Sequence, residues 1–140
     1  MDRSQSSLLR NTLRVDAAFC ALGGADLLLF TRPLAELLGV AQTGILTVLG
    51  AGLLAYAAYL LVASRRDPLS ITEAWSFVAA DFAWIAASAA VVVFGPLSTP
   101  GNWIVGAAAV AVLALAEAKI FGVRRIRRGA TRLSLRHEAA

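Results

Sequence analysis

Four apolar stretches, at about residues 11–31, 44–63, 71–95 and 103–123, take up most of a 140-residue chain. Each is about 20 residues long, the length at which a helix rising about 1.5 Å per residue crosses roughly 30 Å of hydrocarbon. What remains is too short for a soluble domain. The composition agrees: 59% hydrophobic and 16% charged, where soluble domains carry about a quarter charged and 45–50% apolar residues. The mean hydropathy is +0.71. The predicted fold is therefore all-α: a four-helix transmembrane bundle in a single domain over residues 1–140, with a basic tail over 124–140.

The net charge of +4 would raise nucleic acid as a partner in a soluble protein. Here the placement of the bases explains it. Arg3, Arg10 and Arg14 flank the first stretch, Arg65 and Arg66 follow the second, and Arg32 alone lies between those two. "GPLSTPGN", between the third and fourth stretches, has no base, whereas Lys119, Arg124, Arg125, Arg127, Arg128, Arg132 and Arg136 crowd the C-terminal end. With both termini cytoplasmic, 12 bases (3 + 2 + 7) lie inside and 1 outside, the asymmetry of the positive-inside rule. A cleaved signal peptide fits the basic start, but Asp16 breaks the apolar core that a signal needs. The single cysteine, Cys20, excludes an internal disulfide. With Phe19 before it, Cys20 also lacks the small neighbour of a lipid-attachment site.

The first stretch is the least apolar. At about 100° per residue, Thr12, Asp16, Gly23 and Asp26 share a stripe about 80° wide that can face neighbouring helices. "RPLAELLGV" then reads as a short helix in the outer interface, with Pro33 in its first turn and Gly39 ending it. In the second span Thr47, Ala51 and Ala55 recur every fourth residue, a spacing of small residues that lets helices approach closely. Gly52, Tyr56 and Tyr59 form a second stripe there. Ser70 and Glu73 match a capping box that starts the third helix. On that helix Glu73, Phe77, Asp81, Trp84 and Ser88 fall within about 80° of one another. Trp103 stands where an interfacial aromatic belongs. The tail carries Arg124, Arg125, Arg127 and Arg128 beside the membrane, where anionic headgroups add about 1 kcal/mol of attraction per base.

"LGAGLLAYAAYLL", "AADFAWIAAS" and "AKIFGVRRIRR", in that order, resemble a group of small four-span bacterial integral membrane proteins of uncharacterised function. The resemblance implies the same fold and a multi-pass place in the cell (inner) membrane; it implies no activity. An Asn stands in that group where this chain has Asp81, and a Gln near the end of the fourth span where this chain has Glu117 or Lys119.

Acids within spans are functional candidates, because each costs a few kcal/mol unless paired or wetted. By helix rise, Asp81 lies roughly 3 Å, Glu117 roughly 7 Å and Arg14 roughly 10 Å to the cytoplasmic side of the midplane. The candidate intramembrane polar cluster is Arg14, Asp16, Tyr56, Tyr59, Asp81, Trp84 and Glu117. Two roles compete for it. In one, Arg14 faces Glu117 or Asp81 and the cluster fixes helix packing in a protein whose job is structural or interactive, with itself or a larger membrane partner. In the other, Asp81 is the titrating acid of a proton-coupled transporter or channel working as a homo-oligomer, with Trp84, Tyr56 and Tyr59 lining its cavity. Enzymatic roles fare poorly. No His lies in a span, which removes two-His haem and His-based metal sites, and no Cys–His or Ser–His pair exists. No catalytic residue, metal site or cofactor is expected, and nucleic acid is not an expected partner.

Overall fold

The computed structural model describes the backbone over residues 3–66 and 71–138, and side chains over 7–66 and 72–124. Five helices follow one another with no strand among the described residues: α1 (Arg3–Leu29), α2 (Thr31–Leu38), α3 (Thr43–Arg65), α4 (Ile71–Phe94) and α5 (Thr99–Glu138). Three segments are long and apolar enough to cross a membrane: Thr43–Arg65, Thr72–Phe94 and Thr99–Arg124. Their outward faces are Leu, Val, Phe and Ala, so most of each segment is left uncovered by the rest of the chain. The fourth long helix, α1, carries Arg10, Arg14, Asp16 and Asp26 along its length and is not among them.

α1 and α2 are divided by one residue, Phe30 (φ −117°, ψ 33°). Its N–H still bonds the Asp26 carbonyl and its own carbonyl accepts from Leu34 N–H, so the chain turns without losing its hydrogen bonds. Pro33 falls among the first N–H positions of α2, which have no intrahelical partner to lose. Gly39 ends α2 in the left-handed region (φ 76°) and its N–H, with that of Val40, closes on Glu36 and Ala35. Only glycine takes that conformation without strain. The short helix read from the sequence is thus present, starting two residues before Pro33. Ser98 pins it to the start of α5: its N–H donates to Leu38 O at 2.9 Å, and its hydroxyl to Leu37 O. Leu38, Leu46, Ala35 and half-buried Leu97 and Val105 make a small apolar cluster there.

The long helices form a four-cornered bundle. α1 packs between α3 and α5, and α4 packs on α5. The closest approach joins α1 to α3 through Gly24 and Gly50. A Cβ at Gly24 would lie 2.8 Å from Gly50 O, and one at Gly50 3.0 Å from Gly24 O. The small residues expected to serve this purpose, Thr47, Ala51 and Ala55, face outward instead. α3 and α4 are held apart: none of their described Cα atoms comes within 8 Å of the other helix. Aromatic side chains fill that seam, with Phe77 packed against Tyr59 (centroids 5.2 Å apart) and edge-on to Tyr56 (6.2 Å). The main core, built on Leu9, Leu13, Leu60, Phe77 and Val123, lies towards the basic end.

α5 has no break between its apolar part and the basic tail; one helix runs from Thr99 to Glu138. From residue 124 the sequence allows either a continued helix or a solvated end, and the backbone is helical throughout. The side chains of Arg125, Arg127 and Arg128 lie outside the described residues, as does Ser70 of the expected capping box. Arg124 is exposed.

Candidate functional site

The polar stripe of α4 turns inward as its spacing requires: Phe77, Asp81 and Ser88 are buried, Glu73 and Trp84 half-buried. On α1, Asp16 is buried within the stripe of Leu9, Leu13, Ala17 and Cys20. On α5, Val112, Ala116, Lys119 and Val123 recur at helical spacing and are all buried. These three stripes meet at one group. The Lys119 ammonium donates to Asp16 Oδ2 and, at 2.7 Å, to Asp81 Oδ2. Exposure of the three side chains is 0% for Lys119, 2% for Asp16 and 4% for Asp81. Cys20, one turn beyond Asp16, donates its S–H to Asp16 Oδ1 at 3.7 Å.

Lys119 therefore bridges α1 to α4, two helices on a diagonal whose Cα atoms do not come within 8 Å among the described residues. A lysine does this where a shorter base does not, because its four-carbon stem reaches from α5 into the centre and its ammonium offers three donors. By sequence alone Arg14 is the base expected in this role, with Lys119 among the flanking bases. Arg14 is exposed on α1 and forms no ion pair with Asp81 or Glu117, and Glu117 is exposed on α5. The reason is angular. Glu117 is two residues from Lys119, about 200° around the helix, so when one faces the interior the other faces out. Lys119 was legible on the same grounds: it shares the stripe of Val112, Ala116 and Val123, a pattern that outweighs its nearness to the tail.

The aromatic candidates divide. Tyr56 packs against the core beside Phe77, and among the described residues its buried hydroxyl has no hydrogen-bond partner; the same holds for Trp84 Nε1. Tyr59 belongs to a second polar group, at the basic end. There its hydroxyl donates to Glu73 Oε1 at 2.9 Å, and Arg66 reaches the same oxygen at 3.1 Å. Arg10 donates across from α1 to Arg66 O at 3.2 Å. Asp26, expected to face a neighbouring helix with Asp16, is exposed. Among the described residues, no group of three or more His, Cys, Asp and Glu side chains is placed to hold a metal ion.

Chemically, the triad is an ammonium chelated by two carboxylates in a water-poor interior. With all three groups ionised it carries one net negative charge. No protein-family model, curated protein or solved structure matches the chain.

Proposed function

We propose that the chain is a four-span integral membrane protein of a bacterial inner membrane, with both ends cytoplasmic, in which the Asp16–Lys119–Asp81 triad fixes helix packing. Its role is structural or interactive rather than catalytic, and its partners are the bilayer with its anionic headgroups and other membrane-embedded chains. The observation that carries this reading is the complete burial of Lys119 between the two acids. It accounts for an α1 that is poor in apolar residues yet packs in the bundle: in the assembled protein its acid is paired, which offsets most of the cost of holding it in hydrocarbon. The distribution of bases, 12 to 1 for cytoplasmic ends, supports the topology. Reporter fusions at residues 67 and 140 are expected to read cytoplasmic and one at residue 98 external. Any other pattern overturns the arrangement.

One observation favours a second reading, a proton-coupled transporter or channel. Two carboxylates share a single ammonium, and one proton would neutralise the remaining charge. The two readings part at Asp81→Asn in liposomes under an imposed pH gradient. The packing role expects no proton flux in the unmodified protein and a folded variant. A flux that is present in the unmodified protein and lost in the variant establishes the transporter.

A further inference from the structure

Glu117 is the one acid of α5's apolar part, and it points away from the bundle with no hydrogen bond or ion pair to any described residue. Its height follows from the backbone contact of α1 with α5. Leu9 lies against Gly122, so these two residues are level on antiparallel neighbours. Glu117 lies five residues further from the basic end than Gly122, and about 10 Å inside the level of Arg124. If α5 spans the bilayer as proposed above, a carboxylate at that depth faces hydrocarbon, which costs a few kcal/mol when it is unpaired. Arg14, also exposed, lies five residues beyond Leu9 and so stands level with Glu117.

They do not meet within one chain, because they leave it on opposite sides. On α1 the direction of α5 is set by Leu9, which lies against Gly122; stepping about 100° per residue, Arg14 is about 140° from it. On α5 the same contact sets the direction of α1, and Glu117 is again about 140° away. Each charge thus faces almost directly away from the other's helix.

We propose that this chain self-associates in the membrane, side by side and in one orientation, with Arg14 of one copy paired to Glu117 of the next. Opposite charge, matching depth and opposite sides fit one occupant, a second copy. A patch that meets a different patch makes a head-to-tail contact, which closes into a ring when the rotation allows. The pair also removes both uncompensated charges from the lipid. A contact of this kind between membrane helices is favourable chiefly because its alternative, an unpaired charge in hydrocarbon, is not.

The test uses the full chain in lipid nanodiscs, with oligomer size read by native mass spectrometry and neighbours read by disulfide trapping. The unmodified protein is expected to form oligomers. Glu117→Gln, at an exposed position where folding is preserved, is expected to weaken association about tenfold, the size of one polar contact between membrane helices. Arg14→Glu and Glu117→Arg are each expected to disperse the oligomer, and their combination to restore it. With Cys20→Ala as background, Arg14→Cys chains mixed with Glu117→Cys chains are expected to cross-link, and each alone is not. A monomeric unmodified protein, unchanged association in Glu117→Gln, or like-with-like cross-links overturns the interface. Alkaline extraction of the same membranes tests the spanning reading by itself. A chain that stays with the membrane but is monomeric sinks only the interface, and a chain that is released sinks both.

Discussion

The bundle contains two charged groups of similar size that stand in opposite surroundings. The triad of Asp16, Lys119 and Asp81 is sealed, with exposures of 2%, 0% and 4%. The group at the basic end is open, with Arg66 57% and Glu73 15% exposed. Both tie α4 to other helices, but they do so on different energetic terms. In the sealed group every charge has been taken from water, so what matters is whether the sum of charges is compensated. In the open group solvent and salt already screen each charge, and the ion pair adds little. The lesson is that charge balance governs the first and geometry the second.

The largest expected effect comes from breaking the balance. Lys119→Met keeps the length of the side chain but leaves two buried carboxylates with no counter-charge. It is expected to destabilise the protein by about 3–5 kcal/mol, the scale for removing one partner of a buried ion pair. Thermal unfolding in detergent or nanodiscs measures it. Adding Asp16→Asn and Asp81→Asn to Lys119→Met should recover most of that loss, and failure to recover would mean the lysine acts through packing instead.

A smaller effect is expected from Asp81→Asn alone. Asp16 still neutralises Lys119, and the amide oxygen can still accept from the ammonium. A loss of about 1 kcal/mol, typical of a polar contact between membrane helices, is expected in the same unfolding measurement. A loss as large as that of Lys119→Met would break the claim that balance, rather than the number of hydrogen bonds, sets the cost. Smallest of all is the open group. Glu73→Gln is expected to cost under about 1 kcal/mol, and that difference should shrink further as ionic strength rises. Salt should leave the effect of Lys119→Met nearly unchanged, because a sealed site is poorly screened.

Much of this architecture is legible in the sequence. Residue spacing fixes which face of α4 turns inward, since Phe77, Asp81 and Ser88 fall on one stripe and are buried together. Gly39 marks the end of α2 because glycine adopts the left-handed conformation there at little cost, whereas a residue with a Cβ is strained in it. What spacing does not reveal is which stripe meets which. Arg14 and Lys119 are both bases near an acid-bearing level, and only the packing of α1 against α5 decides that Lys119 reaches the centre. Close approach of helices was likewise assigned to the wrong small residues. Gly24 and Gly50 stand out among abundant alanines only once α1 and α3 are brought together, because a glycine pair matters through its partner rather than through its own sequence context.

The bridge between Asp16 and Lys119 spans 103 positions of the chain, and that separation is also an interval of time. A ribosome adding about 5–20 residues per second delivers the lysine roughly 5–20 s after the aspartate. Throughout that interval the first helix carries an acid whose counter-ion does not yet exist. In the four-span arrangement proposed above, that acid would be compensated in the bilayer only once the last helix arrives, so the first helix made would be the last to settle.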